Sequence, residues 1–250
     1  MSSESRPQVT IRFYEELNDF LPAEYRKVIF DHAITEGQTV KDLIESIGIP
    51  HTEVDLILIN SDAVEFEYRL QQGDQVSVYP VFERLDISKV TKLRPQPLRE
   101  IRFVLDCHLA KLVRYLRMLG FDSLHDNNYV DSEIAELSVH DKRIVLTRDR
   151  GLLKRRIITH GRYVRNIEPR RQFKEIVDWL DLSQSARPFT RCIRCNGLLQ
   201  EVSNDEVKGQ IESDTGRYYQ QFWRCGDCGH IYWKGSHYQK MERIIKEVMG

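Results

Sequence analysis

The sequence predicts an N-terminal α+β domain, a central α/β domain with a parallel sheet, and a cysteine-rich tail. Three observations lead to this fold class. The order strand-strand-helix-strand-strand occupies residues 8–82, strands and helices alternate over residues 101–182, and two Cys-x-x-Cys pairs follow. A length of 250 residues is sufficient for two or three small domains.

Composition and charge place the chain among globular proteins. Hydrophobic residues make up 41% and charged residues 30% of the chain, which is ordinary for a folded protein. No apolar run approaches the ~20 residues that span a bilayer, and the first residues lack the pattern of a signal peptide. We therefore expect a cytoplasmic protein.

The net charge of −1 conceals two regions of opposite sign. Residues 1–89 hold nine more acidic than basic residues, whereas residues 90–250 hold eight more basic than acidic ones. The second region could attract a polyanion. An alternative is that two solvated surfaces of opposite sign dock on each other.

The N-terminal elements are predicted from alternation and capping signals. QVTIRFYEEL alternates as a half-buried strand does, and RKVIFDH, DLILIN and DQVSVYPVF are further strands. TVKDLIESIG reads as a helix that begins after Thr39 and ends at Gly48. This order is that of a β-grasp, or ubiquitin-like, domain, and it resembles the ubiquitin-like sulfur carriers, such as the small subunit of molybdopterin synthase. Such sulfur carriers end in a free Gly-Gly, whereas here the chain continues, so we expect an interaction module with a protein or ribosomal partner.

KLRPQPLRE, residues 92–100, is the predicted linker, because its two prolines disfavour helices and strand ladders. After it, the strands IRFVLD, DSLHD, RIVLTRD and RYVRNIE alternate with four predicted helices. The helices are HLAKLVRYLRMLG, DSEIAELSVHDK, one beginning at GLLKRRI, and PRRQFKEIVDWLDL. Repeated βα units indicate a parallel sheet with right-handed crossovers.

Two carboxylates follow strands of this predicted sheet. Asp106 comes after IRFVL and Asp149 after RIVLTR, and ligands of open α/β sheets bind beyond the carboxyl ends of strands. Asp131, at the start of the intervening helix, could reach the same site. Gathered carboxylates repel unless a cation neutralises them, and Mg²⁺ or Mn²⁺ fits that need. The alternative is that these acids are helix caps.

Basic residues surround these acids in the sequence. Helix N-termini and basic side chains together bind phosphates, so we predict contacts with a nucleic-acid backbone. The candidates are Lys111, Arg114, Arg117, Arg148 and Arg150. A charge run on a helix is more often a solvated face, and only the crowding of these bases near two candidate metal ligands favours binding.

The tail carries four paired cysteines, Cys192 with Cys195 and Cys225 with Cys228. Two such pairs supply the four thiolates of one tetrahedral structural Zn²⁺ site. The long gap between the pairs is interpreted as an inserted hairpin. The neighbouring side chains Trp233 and His237 are candidate RNA contacts, although aromatic residues there more often build the core of the hairpin.

Four separated motifs resemble the Mut-seven C-terminal RNase domain family, a PIN-like nuclease fused to a zinc ribbon. They are FVLDCHLAKLVRYLRMLGFD, IVLTRDRGLLKRR, RCIRCNGLL and CGHIYWKGSH. The resemblance implies a Mg²⁺- or Mn²⁺-dependent ribonuclease with Asp106 and Asp149 at the acidic positions of the family and Asp131 as a third acid. Family members often carry an N-terminal ubiquitin-like domain.

The predicted boundaries are residues 8–90 for the β-grasp domain, 100–185 for the α/β PIN-like domain and 188–240 for the zinc ribbon, with a helix to residue 250. A PIN nuclease generally uses three or four acids, and Asp122 and Asp126 are the candidates for a fourth. The alternative function is a non-catalytic RNA-binding adaptor, in which the zinc ribbon binds RNA and the β-grasp domain binds a protein.

Overall fold

A computed structural model describes residues 7–81, 91–93 and 100–249. The chain divides into two compact units. The first contains Met1–Arg99, Ala135–Asp141 and Asp149–Tyr163, and the second contains Glu100–Ile134, Lys142–Arg148 and Val164–Gly250. Residues 94–99 of the predicted linker lie outside the described residues.

The first unit contains the predicted β-grasp fold. Its five-stranded sheet has the order β2-β1-β5-β3-β4, in which β1 and β5 are parallel and the other described pairs are antiparallel. The elements are β1 (Gln8–Phe13), β2 (Phe30–Ala33), α1 (Val40–Ile47), β3 (Val54–Ile59), β4 (Asp62–Ala63) and β5 (Gln75–Pro80). Short 3-10 helices, which the sequence did not predict, cover Glu15–Phe20, Ala23–Tyr25 and His51–Glu53.

Helix α1 has the predicted termini. The Thr39 hydroxyl accepts a hydrogen bond from the Asp42 backbone N–H at 3.1 Å, and the Asp42 carboxylate accepts one from the Thr39 N–H at 3.3 Å. This reciprocal cap satisfies two backbone donors that a helix start leaves without partners. The helix ends at Gly48, where φ is +111°. Its buried face, which includes Leu43 and Ile44, packs in the core of the β-grasp sheet.

The second unit contains a parallel sheet, as predicted. The strands β6 (Arg102–Leu105), β7 (Asp122–His125) and β8 (Ile144–Thr147) pair in the order β7-β6-β8. All four residues of β8 and the last three of β6 are buried, as expected for a sheet covered on both faces. Its helices are α2 (Ala110–Met118) and α5 (Pro169–Trp179), whereas α3 (Asp131–His140) begins in this unit and from Ala135 onward belongs to the first.

Helix α2 ends where the sequence predicts, and the reason is steric as well as conformational. Gly120 has a φ of +91°, and a Cβ atom there would lie 2.1 Å from the backbone oxygen of Arg187. Any other residue at this position would push away the chain that leads into the cysteine-rich tail.

Two predicted elements of the α/β region are shorter than expected and belong to the first unit. The helix predicted from GLLKRRI is α4 (Arg150–Leu153), and the strand predicted from RYVRNIE is β9 (Gly161–Tyr163). The next residue, Val164, lies in the second unit and donates its N–H to the Thr147 carbonyl oxygen at 2.8 Å.

The tail forms a three-stranded antiparallel ribbon in the order β10-β11-β12. Its strands are β10 (Leu199–Val202), β11 (Phe222–Cys225) and β12 (Ile231–Trp233), and α8 (Ser236–Met249) follows. The gap between the cysteine pairs contains the antiparallel pair β10–β11, as a hairpin insertion requires, but its connection is long and forms two short helices, α6 (Asn204–Val207) and α7 (Ser213–Tyr218). A small core of Val207, Phe222 and Ile231 holds this insertion on the ribbon. Among the described residues, no helix combines the length and apolar character that a membrane crossing requires.

Candidate functional site

Asp106 lies at the carboxyl end of β6 and is 6% exposed. One carboxylate oxygen accepts the His108 backbone N–H at 2.9 Å. The other accepts the hydroxyl of Thr147 and the backbone N–H of Arg148, at 3.1 Å for the latter. Because a carboxylate offers about four acceptor sites, the oxygen bound by His108 keeps one for a cation or a substrate proton. The carboxylate is therefore fixed by donors from β8 and still has acceptor capacity.

Thr147 is the site residue that sequence reasoning missed. It is the last residue of β8, is fully buried, and its hydroxyl donates to Asp106 across the parallel pair of strands. The available signal was a single polar residue at the end of the apolar run IVLT, directly before the Arg-Asp pair.

Asp149 belongs to the first unit and caps α4, where its carboxylate accepts the Gly151 N–H at 2.7 Å. It follows Arg148 along the chain, and the Arg148 backbone binds Asp106. Asp131 is the first residue of α3. Within each described unit, no three acids gather into a metal-binding group, and only the cysteines do so. Asp106 and Asp149 each accept a backbone N–H at the start of a helix, so both act as helix caps, which was the alternative to metal binding.

The candidates for a fourth acid have other partners. Asp122 forms an ion pair with Arg143 at 2.7 Å and a hydrogen bond with Asn196 at 2.9 Å. Burial alone would raise the pKa of Asp122, but the bonds from Arg143 and Asn196 hold it below its ordinary value. Asp126 accepts the Asn128 N–H in a turn. Asp122 is therefore a structural ion-pair partner.

Of the predicted RNA-binding bases, two remain on the surface. Lys111 and Arg114 lie on the exposed side of α2. Arg117 is 6% exposed, and it donates to the backbone oxygens of Ser123 at 3.0 Å and Arg194 at 2.8 Å. The assignment of Arg117 to phosphate binding is therefore corrected, because its guanidinium joins α2 to the first cysteine pair.

Arg148 and Arg150 also have internal partners. Arg148 Nη1 lies 2.6–2.9 Å from the carbonyl oxygens of residues 164–166, so this side chain holds the turn after β9. The Arg150 guanidinium lies over the rings of Phe20 and Tyr163, with centroid distances of 4.8 and 5.4 Å. Both half-buried side chains thus have partners within the protein, and their assignment to RNA phosphates stays a prediction.

The four cysteines converge as predicted. Their sulfur atoms all lie within 4.8 Å of one another, with Cys192 and Cys228 separated by 3.7 Å and Cys195 and Cys225 by 3.3 Å. A Zn–S bond of about 2.3 Å in a tetrahedron places sulfur atoms about 3.8 Å apart. The donor set and its spacing therefore fit one structural Zn²⁺ ion.

The protein around the cysteines stabilises negative charge on one of them. The Tyr232 hydroxyl lies 3.1 Å from Cys192 Sγ. Burial opposes ionisation of Cys192, but this hydroxyl and backbone N–H groups lower its pKa to about 7. Burial and the adjacent sulfur atoms raise the pKa of Cys195 to about 12. Four crowded sulfurs thus require a bound cation before all can be thiolates.

The first cysteine pair is joined to the edge strand β7. The side chain of Asn196 accepts the Ser123 backbone N–H at 3.0 Å and donates to Asp122 at 2.9 Å. Asn196 has a φ of +78°, a conformation that Asn tolerates better than most residues. Arg117 also binds the Arg194 carbonyl oxygen. We call residues 192–196, which carry the first cysteine pair, the metal knuckle. These contacts join the metal knuckle to the backbone of β7.

The remaining predicted RNA contacts lie on the ribbon and on the helix that follows it. Trp233 is 36% exposed, and its ring centroid lies 6.5 Å from that of Tyr219. His237 is exposed at the start of α8. His230 lies outside the sulfur cluster, and its Nδ1 is 3.1 Å from Arg194 Nη1. Cys107 is an exposed thiol outside that cluster as well.

Comparisons with solved structures match two small proteins, each over 30% of this chain and 99% of the other. One is the small archaeal modifier protein 1 of H. volcanii, with 14% identity and a TM-score of 0.25. The other is the putative molybdopterin converting factor, subunit 1, of Pyrococcus furiosus, with 23% identity and a TM-score of 0.25. No curated protein sequence matches the chain.

Two family models match the chain. The Mut7-C ubiquitin model covers residues 6–86, and the Mut7-C RNAse domain model covers residues 101–245, which is more than half of the chain. The two matches agree with the β-grasp sheet and with the parallel sheet and cysteine ribbon. The chain belongs to the Mut7-C RNAse domain family, with a Mut7-C ubiquitin domain at its N-terminal side.

Proposed function

We propose that this protein is a metal-dependent ribonuclease that hydrolyses RNA phosphodiester bonds. The observation that carries the proposal is the Asp106 carboxylate, which is buried at the carboxyl edge of the parallel sheet and held by Thr147 and the Arg148 backbone. Membership of an RNase family supports the same reaction class.

The acids proposed to hold the catalytic cation are Asp106, Asp149 and Asp131. A bound Mg²⁺ or Mn²⁺ lowers the pKa of water and stabilises charge on a phosphodiester. The Asp106 carboxylate at the end of β6 is held in one orientation by Thr147 and the Arg148 N–H at the end of β8. A catalytic group held in this way loses little conformational freedom when the reaction occurs. In the proposed hydrolysis a water oxygen bonds to phosphorus, the P–O3′ bond breaks, and the 3′-oxygen leaves as a hydroxyl.

The surface proposed to hold the RNA backbone is smaller than the sequence suggested. Lys111 and Arg114 are exposed on α2, which begins shortly after Asp106. Their cationic groups would attract phosphates without specifying a base sequence. Trp233 on the ribbon and His237 on α8 remain proposed contacts, in which the indole face would stack on an unpaired base.

The alternative is an RNA-binding adaptor without catalysis. The hydrogen bonds to Asp106 favour this alternative, because three of the acceptor sites of the carboxylate are already occupied by groups of the protein. In this alternative the exposed bases and the zinc ribbon still bind RNA, and the β-grasp domain recruits a protein.

The test is cleavage of end-labelled RNA by the zinc-loaded chain with Mn²⁺ or Mg²⁺. We expect Asp106→Asn and Asp149→Asn to abolish cleavage, with RNA binding retained. Thr147→Val is the matched control, because it removes a hydrogen bond to Asp106 but leaves the carboxylate. This variant should keep measurable cleavage at a reduced rate. Cleavage by Asp106→Asn at the rate of the parent chain would exclude the proposal and favour the adaptor.

A further inference from the structure

A short basic segment connects β8 to the rest of the α/β region. We define it as residues 149–163, which begin at Asp149 and include α4 and β9. It contains one acid and five bases, Arg150, Lys154, Arg155, Arg156 and Arg162. In the structure this basic segment forms one compact unit with the β-grasp domain.

The β-grasp domain binds the beginning of the basic segment through two cations. The Arg150 guanidinium, over the Phe20 ring at 4.8 Å, also donates to the Phe20 carbonyl oxygen at 3.3 Å. The Lys154 ammonium donates to the carbonyl oxygen of Glu45 at 2.6 Å. Helix α4 has only four residues and is too short to be stable alone. The contacts of Arg150 and Lys154 with the β-grasp domain therefore stabilise it.

His51 binds the middle of the segment. One ring nitrogen lies 2.6 Å from the Glu45 carboxylate and the other lies 2.8 Å from the Ile158 carbonyl oxygen. The ring is thus held between an oxygen of the β-grasp helix α1 and an oxygen of the basic segment. The His51 side chain is 7% exposed, which excludes most competing water.

Glu53 binds the end of the segment. This side chain is fully buried, and it accepts the Tyr163 backbone N–H at 2.5 Å and lies 3.4 Å from Arg162 Nη1. Glu16 lies 3.5 Å from the same nitrogen. A buried carboxylate is stable only with partners of this kind, so Glu53 and the basic segment depend on each other.

We propose that the β-grasp domain is a positioning element of the nuclease, and that His51 and Glu53 position Asp149 by fixing the basic segment. This inference rests on the proposed function. The contacts occur at the beginning, middle and end of the segment, and Asp149 is its first residue. Arg150, Lys154 and Arg162 thereby have partners in the β-grasp domain, and this face of the domain is occupied by the chain itself.

The substitution that tests the proposal is Glu53→Gln, which keeps the size of the side chain and an acceptor for Tyr163 but removes the charge opposite Arg162. Glu24→Gln is the matched control, because it makes the same charge change at an exposed position of the same domain. Amide hydrogen exchange and RNA cleavage are measured on the full-length, zinc-loaded proteins.

In Glu53→Gln we expect amides of the basic segment to exchange about tenfold faster or more, while β6 and β8 keep their protection. The kcat of cleavage should fall about tenfold with little change in KM, since misplaced catalytic groups cost rate and Lys111 and Arg114 are untouched. Glu24→Gln should change neither quantity.

Unchanged exchange in the segment would overturn the proposal, and so would faster exchange with an unchanged kcat. General unfolding would appear as lost protection in β6 and β8 as well, and would contradict a local positioning role. If the parent chain cleaves no RNA, the proposed function and the role of Asp149 in it fail, whereas faster exchange confined to the segment would still support the holding role of the β-grasp domain.

Discussion

The contact between the metal knuckle and β7 allows a stability prediction for Asn196→Gly. The Asn196 side chain is 8% exposed and satisfies the backbone N–H of Ser123, a residue with no exposed surface. Its amide also donates to the Asp122 carboxylate at 2.9 Å. Glycine is the proper substitution because Asn196 has a positive φ, so that the backbone conformation is kept and only the side chain is lost.

The expected loss follows from these two bonds. Leaving the Ser123 N–H buried without an acceptor costs about 1–3 kcal/mol, and a hydrogen bond to a charged group contributes about 1.5–3 kcal/mol. The two effects share one side chain and do not add fully, so we expect a free energy of unfolding lower by ~3 kcal/mol. For a chain of this length, that corresponds to a midpoint lower by roughly 6–12 °C.

The assay is thermal unfolding of chains that carry one zinc ion each, with zinc content measured before heating. Asn127→Gly is the matched control, because Asn127 is exposed in a turn of the same unit, and its midpoint should change little. Asn196→Ala should be less stable than Asn196→Gly by about 1 kcal/mol, since Cβ disfavours the left-handed conformation. An Asn196→Gly midpoint equal to that of the parent at full zinc content would refute the idea that the knuckle braces β7.

Further predictions concern the metal, the surface bases and acid stability. Cys228→Ser should reduce bound zinc from about one ion per chain to near zero and lower the unfolding midpoint, as measured by metal analysis and calorimetry. Lys111→Gln and Arg114→Gln should each weaken RNA binding and reduce the salt slope by about 0.7, whereas Arg117→Gln should chiefly lower stability. The pKa of Asp122 is lower in the folded chain than in the unfolded chain, where it is about 3.9. The ionised Asp122 therefore stabilises the fold above about pH 3.9, and this stabilisation is lost as the pH falls through the folded-state pKa. Asp122→Asn should therefore be less stable at neutral pH and lose less stability on acidification, as denaturant titrations at several pH values would measure.

The order of elements and the cysteine cluster could be predicted because their signals are local. Alternation, a capping threonine and a terminal glycine define α1 and its neighbouring strands. The spacing within each Cys-x-x-Cys pair makes convergence on one ion the simplest arrangement. The two helices in the connection between β10 and β11 were not predicted, because a run of polar residues is compatible with either a loop or short capped helices, and packing on Phe222 decides between them.

The roles of the arginines could not be predicted from sequence. Arg114 and Arg117 are three residues apart on one helix, yet one is exposed and the other is buried against the metal knuckle. A guanidinium serves equally well as a phosphate ligand or as a donor to backbone carbonyls. Its partners here, Arg194 and Ser123, are brought near only by the complete fold.

The cysteine ribbon and the β-grasp domain each supply partners to backbone groups of the α/β region, the first at β7 and the second in the segment after β8. Each of β6, β7 and β8 has four residues, and an edge strand presents backbone groups that need partners. In the second unit the metal knuckle supplies them to β7 through Asn196 and Arg117. In the first unit the β-grasp domain supplies them to the segment after β8 through Glu53. If the proposed cleavage occurs, loss of the metal at the cysteines and loss of the β-grasp contacts should impair it by different routes, the first through Asp106 and the second through Asp149. Their effects on kcat should then combine independently in a double variant.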